Sequence, residues 1–137
     1  MRGTTLAALS ALVLFGCSAR VMDGEKPRLR LSVDSRYSEL PATLRFTAFI
    51  DGGRDDDPML YCPDVLWNFQ SVVYRDEQDC EPYEPGRRIQ RAYVAEHTFE
   101  REVAIDVEVR ILQRGRTVLR AKAEIQVRRS AVTIVRP

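Results

Sequence analysis

The stretch "VAIDVEVRILQRGRTVLRAKAEIQV", residues 103–127, decides the fold class of this 137-residue chain. Apolar residues occupy alternate positions in both of its halves: Val103, Ile105, Val107, Val109 and Ile111, then Leu119, Ala121, Ala123, Ile125 and Val127. A period of two places the apolar side chains on one face of a β-strand, so the stretch predicts two half-buried strands. Gly115 lies between them and predicts a tight hairpin turn at residues 113–116.

The same alternation continues towards the N-terminus. It covers residues 28–33, 44–50 and 65–73, whereas a helical period of about 3.6 residues appears over no useful length. Proline, glycine and aspartate separate the alternating segments, as is typical of turns. Several short strands in about 120 residues predict a single all-β domain, an antiparallel β-sandwich.

Four segments resemble the PKD (polycystic kidney disease) type of immunoglobulin-like domain. They are "PATLRFTAFIDGG" (residues 41–53), "LWNFQ" (66–70), "EHTF" (96–99) and the hairpin at 103–127. The resemblance covers about residues 27–127 and implies an immunoglobulin-like sandwich at residues 28–127. Trp67 and Phe69 fall on family positions, and the alternation predicts that Trp67 packs in the core. His97 also falls on a family position, which implies that it belongs to the packing of the fold.

The turn after Trp67 departs from the family's pattern. Asn68 stands where the family has aspartate, and Gln70, Ser71 and Val72 replace its Gly-Asp-Gly. Because glycines supply the positive φ angles of such a turn, their loss predicts that the strand continues to about Tyr74. The turn would then move into the acidic loop "RDEQDCEPYEPG" at residues 75–86.

The N-terminus carries a short apolar segment, residues 6–15, behind Arg2. About 10 residues is half the length that a membrane-spanning helix needs, so the segment predicts a secretory signal. Its end, Leu14-Phe15-Gly16-Cys17, resembles the lipobox of bacterial lipoproteins. The resemblance implies a signal peptide at residues 1–16, a diacylglycerol on the Cys17 thiol and a tether at residues 17–27. An ordinary signal peptide or an uncleaved anchor remains the alternative.

In lipoproteins, the residue after the lipidated cysteine influences which membrane holds the protein. Ser18 occupies that position, and it favours the outer membrane over the retention signal that an aspartate would give. The prediction is therefore a protein of the cell envelope, anchored by lipid and located at the outer membrane. No cofactor is predicted, and the lipid on Cys17 is the one covalently attached group expected.

If lipidation uses Cys17, two cysteines remain, Cys62 and Cys80. Export places them in an oxidising compartment, where a disulfide is expected. The bridge would close a loop of 19 residues and stabilise the domain by about 3 kcal/mol. A metal or redox pair is the alternative, but the spacing fits neither a Cys-x-x-Cys motif nor half of a zinc site.

Charge and composition restrict the function. Acidic and basic residues nearly balance, so no excess positive charge is present to hold nucleic acid. Residues 51–84 carry ten acids and two bases. The chain has one histidine, His97, and offers neither a free cysteine nucleophile nor a second histidine, so we predict no enzyme and no small-molecule substrate.

Two kinds of ligand site remain as alternatives. The run "DGGRDDDP" brings together Asp51, Asp55, Asp56 and Asp57, which could bind calcium, although it lacks the alternating pattern of a dedicated calcium loop, and the absence of any metal site is the competing interpretation. An exposed tyrosine could bind a glycan, and the candidates are Tyr74, Tyr83 and Tyr93.

After residue 127 the chain continues as "RRSAVTIVRP", residues 128–137, which is rich in β-branched residues. This extension predicts either one more edge strand of the same sandwich or a strand that adds to a partner's sheet through Val132 and Ile134. The predicted function is a non-catalytic envelope lipoprotein, bound to the membrane by its lipid, that serves as a protein interaction or assembly module. The alternatives are a calcium- or glycan-binding lipoprotein and an accessory subunit of a secreted enzyme or envelope complex.

Overall fold

A computed structural model describes residues 25–131, and this part of the chain is all-β. The predicted signal peptide and Cys17, and also Val132 and Ile134 near the C-terminus, lie outside the described residues. Eight strands are present in the described part: β1 (Arg28–Val33), β2 (Tyr37–Glu39), β3 (Ala42–Asp51), β4 (Asp64–Asn68), β5 (Val73–Asp76), β6 (Ala92–Phe99), β7 (Val103–Gln113) and β8 (Arg116–Arg128). A single 3-10 turn, Pro58–Leu60, precedes β4. No helix within residues 25–131 has the length and apolar character to cross a membrane.

The strands form two open sheets that pack face to face. One sheet has the order β1-β3-β6, and the other has the order β2-β8-β7-β4-β5. All pairs are antiparallel except one: β2 runs parallel to β8, with Tyr37 opposite Gln126. The predicted antiparallel sandwich is therefore confirmed for every other strand pair of residues 25–131, and this edge departs from it. The cause is that the chain crosses from β1 to the opposite sheet at residues 34–36, forms β2 there, and returns to the first sheet for β3.

The core lies between the two sheets, and the alternation of the sequence fills it as predicted. Alternate residues of β3 are buried, as are Val107, Val109 and Ile111 of β7 and Ala123, Ile125 and Val127 of β8. Trp67 is fully buried at the centre, and its ring stacks parallel to that of Phe69 with centroids 6.5 Å apart. The predicted hairpin between β7 and β8 is confirmed, with Arg114 and Gly115 at positive φ.

The turn after Trp67 is where the predicted strand is wrong. The chain does not continue straight to Tyr74 but reverses at residues 69–72 and returns as β5. The Asn68 side chain accepts a hydrogen bond from the Gln70 N–H at 2.8 Å, and the Phe69 N–H donates to the Val72 carbonyl at 2.9 Å. Gln70 adopts a φ of 65°, so it takes the left-handed conformation expected of glycine. Asparagine can stabilise such a turn through its side chain, which offsets the missing glycine.

The described chain enters and leaves at opposite ends of the sandwich. At the entry end, Arg28 pairs with Asp51, and the Gly53 N–H donates to the Glu25 carbonyl. The β7–β8 hairpin lies at this end too, because Gln113 donates a hydrogen bond to the Tyr61 carbonyl. At the exit end, β8 finishes, and the chain leaves through residues 129–131. A tether at the N-terminus and an extension at the C-terminus would therefore emerge from opposite ends.

Candidate functional site

The four candidate calcium ligands lie at the entry end, Asp51 as the last residue of β3 and the other three in the loop that follows, but each carboxylate has a partner of its own. Asp51 forms an ion pair with Arg30 at 2.5 Å, Asp56 forms one with Arg54 at 2.9 Å, Asp55 forms one with Arg91 at 2.6 Å, and Asp57 accepts the Met59 N–H at 2.9 Å. Within residues 25–131, no three histidine, cysteine or acidic side chains are grouped so that they could hold a metal ion. The loop geometry therefore favours a structural role for these aspartates.

Arg91 organises this loop. Its guanidinium donates hydrogen bonds to the carbonyls of Ile50 and Gly52 at 3.0 and 2.8 Å, and to Asp55 through both Nε and Nη2. The hydrogen bond and the positive charge of Arg91 hold the pKa of the Asp55 carboxyl below its ordinary value. The Asp55 carboxylate is therefore already bound by Arg91, the residue that holds the loop after β3 closed.

The predicted disulfide is confirmed, since Cys62 and Cys80 are bonded and their Cα atoms are 6.0 Å apart. The bridge ties the acidic loop to the start of β4. Two tyrosines reinforce it: the Tyr61 hydroxyl donates to the Glu81 carbonyl at 2.6 Å, and the Tyr83 hydroxyl donates to the Asp56 carbonyl at 2.9 Å. Their rings meet edge to face with centroids 5.4 Å apart. The acidic loop is therefore held on the entry end by covalent, polar and aromatic contacts.

The three candidate glycan-binding tyrosines differ in environment. Tyr74 is 52% exposed, and Tyr83 is 37% exposed although its hydroxyl is bound to backbone. Tyr93 is only 3% exposed, so the prediction of an accessible ring there is wrong. Tyr93 faces the core because it lies on the buried side of β6. Burial, with a contribution from the Asp76 carboxylate, raises the pKa of Tyr93 to about 12.

A further feature comes from the unequal width of the two sheets. Tyr74 lies directly opposite Trp67 in the β4–β5 pair, and opposite residues of an antiparallel pair share one face of the sheet. Trp67 is fully buried, yet Tyr74 is half exposed on the same inner face. The reason is that five strands face three, so β5 extends past the edge of the smaller sheet, where β6 is the last strand. The inner face of β5 is left uncovered.

The uncovered face and the edge of β6 form an open cleft, here named the β5–β6 groove. It has a volume of about 390 Å³ and is lined by Phe69, Val72, Tyr74, Asp76, Val94, Ala95, Glu96 and His97. Val72 and Val94 are 49% and 45% exposed. Within the described part of the chain, no strand pairs with the outer edge of β5 or with that of β6. The groove thus combines exposed apolar side chains with two strand edges that can accept a further strand.

Aromatic packing makes the base of the groove rigid. The His97 ring stacks on Phe69 with centroids 4.4 Å apart and meets Phe99 edge to face at 4.6 Å. Phe69 in turn packs on Phe46 of the same core, with ring centroids 5.3 Å apart. Desolvation lowers the pKa of the His97 imidazole, which favours its neutral form. His97 therefore contributes to the packing of the domain through its contacts with Phe69 and Phe99, which is the role that the resemblance implied.

Sequence reasoning missed this groove, although one signal for it was present. Residues 72–74, Val-Val-Tyr, are consecutive strand-forming residues, and such a run predicts that the strand through Trp67 continues to about Tyr74. The structure places them at the turn and on the edge strand β5, where they are exposed. No protein-family model matches the chain, and no curated protein matches it.

Proposed function

We propose that this protein is a non-catalytic lipoprotein of the cell envelope whose immunoglobulin-like domain, of the PKD type, binds a protein partner by strand addition at the β5–β6 groove. The observation that carries the proposal is the uncovered inner face of β5 beside the unpaired edge of β6. A soluble domain usually covers or charges such an edge, since it otherwise promotes association.

The strand order supports the immunoglobulin-like assignment. In such domains one sheet has the order A-B-E-D and the other contains G-F-C, with a further strand C′ in the variable type. The order β1-β3-β6 corresponds to A-B-E, and β8-β7-β4-β5 corresponds to G-F-C-C′. Strand D would lie beside β6, and no strand occupies that position within residues 25–131. A partner strand added there would occupy the place of strand D.

The chemistry of the groove suits an extended peptide. Main-chain hydrogen bonds to the β6 edge would supply affinity, and contacts of alternate side chains would supply specificity. The side chains that would meet such a strand are apolar at Val72 and Tyr74 and acidic at Asp76 and Glu96. The partner segment would therefore be apolar with a basic residue at one end.

The envelope location rests on the N-terminal sequence. The apolar residues 6–15 are followed by Gly16 and Cys17, and the ten residues 18–27 between that cysteine and β1 extend at most about 35 Å. The entry end, which carries the disulfide-bonded loop, would face the membrane, and the exit end would face away from it. An accessory subunit of a secreted enzyme or envelope complex would use the same groove and differs only in the identity of the partner.

The lipid assignment predicts that Cys17→Ala abolishes acylation. Cells that express the wild-type or the variant chain would be labelled with a radioactive fatty acid, and the protein would then be isolated. We expect label on the wild type alone. Label on the Cys17→Ala variant would refute the lipobox assignment.

The binding site is tested with a photo-crosslinking amino acid at position 94, in the groove. The matched control carries the same amino acid at position 32, an exposed residue of β1, which is the far edge of the same sheet. After irradiation of intact cells, we expect a discrete protein adduct from position 94 and none from position 32. Equal adducts from both positions, or none from position 94, would contradict the proposal.

A further inference from the structure

We propose that the strand bound in the β5–β6 groove is the C-terminal segment, residues 132–137, of a second copy of this chain. The inference rests on the proposed function of the groove as a strand acceptor and names its partner. The segment reads "VTIVRP", so it is apolar with one basic residue near its end. That is the composition that the groove's apolar wall and its carboxylates would select.

Strand direction brings matching side chains together. β6 runs from the entry end to the exit end, because Ala92 is opposite Phe49 and Phe99 is opposite Ala42. A strand added antiparallel to β6 would run the other way, in the same direction as β5. Its inward-facing residues would then follow the order of the β5 face.

The order of these residues is complementary. Alternate residues of the segment are Val132, Ile134 and Arg136. Along β5 and the turn before it, the groove presents Val72, Tyr74 and Asp76. Laid in the same direction, these two sets place a valine on a valine, an isoleucine on an aromatic ring and a guanidinium on a carboxylate.

Asp76 is available for such a pair. It forms no salt bridge with another residue in the described range 25–131, whereas the adjacent Arg75 is bonded to Asp64. Asp76 is half-buried and lines the groove, so a bound guanidinium there would be partly shielded from water. Such shielding makes an ion pair more discriminating than one on an open surface.

A chain cannot place its own segment in its own groove. At the exit end the Ser130 hydroxyl is bonded to Glu39 of β2 at 2.5 Å, so the chain leaves at the β2 side of the larger sheet. The groove lies four strand spacings away in the order β2-β8-β7-β4-β5 and across the gap between the sheets, about 22 Å in all. Val132 directly follows Ala131, which lies on the β2 side, and one residue spans at most about 3.6 Å, so Val132 cannot reach Val72 in the groove of its own chain. The occupant is therefore the segment of another copy.

The contact is heterologous, since each copy offers one segment and one groove. The test uses two full-length copies with different tags, co-expressed and solubilised in detergent. One tag is captured, and the amount of the other is measured. We expect wild-type copies to capture each other, and Asp76→Arg in both copies, or Arg136→Asp in both copies, to reduce capture about tenfold or more.

Charge exchange provides the decisive comparison. Both changes, Asp76→Arg and Arg136→Asp, combined in both copies should recover capture, because every groove then carries a guanidinium and every segment a carboxylate, with no wild-type pair left. Glu77→Arg is the matched control, since Glu77 is the neighbouring acid, is 76% exposed and does not line the groove. It should leave capture unchanged.

The outcomes separate this inference from the proposed function. Absence of mutual capture, together with an adduct of another protein at position 94, would overturn the inference and leave the groove as a binding site. Capture that neither charge reversal reduces would place the contact elsewhere and would also overturn it. Absence of any adduct at position 94 would overturn both.

Discussion

Replacement of Trp67 by alanine should destabilise this domain more than any single surface change. Trp67 is the only tryptophan, it is fully buried, and it stacks on Phe69 beneath the groove. Alanine would remove the whole indole from the centre of the core. Neighbouring side chains come from both sheets and are themselves in close contact, so they can close the resulting cavity only in part.

Two effects of opposite sign determine how much Trp67→Ala lowers the free energy of unfolding. Truncation of a fully buried tryptophan costs about 3–5 kcal/mol in lost burial and cavity formation. Against this, the indole Nε1–H has no hydrogen-bond acceptor among residues 25–131, and a buried unpaired donor costs about 1–3 kcal/mol in the wild type. Alanine removes that donor, and the two ranges differ by about 2 kcal/mol at both their lower and upper ends, so we expect a net loss of about 2 kcal/mol. In a domain of this size the melting temperature should fall by about 8 °C or more.

Trp67→Phe is the matched control, because it removes the unpaired donor but keeps an aromatic ring. We expect it to cost less than about 1 kcal/mol, clearly less than the alanine variant. Urea unfolding followed by far-ultraviolet circular dichroism measures all three proteins. The wild-type fluorescence should also be blue-shifted. A Trp67→Ala loss below about 1 kcal/mol, or a red and easily quenched emission, would refute the placement of Trp67 in the core.

Three other predictions concern the disulfide, the groove and the loop after β3. Exchange of both Cys62 and Cys80 for alanine should lower the free energy of unfolding by about 3 kcal/mol, because the bridge closes a loop of 19 residues; an unchanged urea midpoint would contradict this. The pKa of His97 is lowered from 6.5 by burial, so the unfolded chain binds more protons below that pH, and stability should fall as the pH decreases through 6.5. His97→Gln should flatten this dependence, and an identical pH profile for the variant would disprove the assignment. Arg91→Ala should cost about 1–3 kcal/mol in thermal unfolding, since it leaves the carbonyls of the loop without their donor; Arg88→Ala, at an exposed neighbour, serves as the control and should have no measurable effect.

Much of the fold could be predicted from local sequence. The period-two pattern in residues 103–127 identified β7 and β8 and the faces that they bury, because alternation depends only on the geometry of a single strand. Gly115 marked the hairpin for a similarly local reason. The pairing of Cys62 with Cys80 followed from the number of cysteines left once Cys17 is assigned to the predicted lipid. Each of these predictions depends either on the geometry of a few neighbouring residues or on the number of cysteines in the chain.

The turn at residues 69–72 shows how a local rule can give a wrong result. The absence of glycine favoured a longer strand, but the Asn68 side chain supports a turn with Gln70 at positive φ.

The aspartates of residues 51–57 gave a different kind of error. Their clustering in sequence suggested a shared ligand, whereas three of them pair separately with Arg30, Arg54 and Arg91, two of which are distant in sequence, and the fourth accepts a backbone N–H.

The sequence by itself determined that the chain forms alternating strands around Trp67, closed by one disulfide. Only the tertiary structure decided which strand joins which sheet, that β2 runs parallel to β8, and that five strands face three. Alternation specifies which face of a strand is buried, but it contains no information about the neighbour on either edge, because backbone hydrogen bonds are the same for every residue. The β5–β6 groove arises from that unequal pairing, so the pattern within a single strand, such as the run of strand-forming residues 72–74, could not specify it.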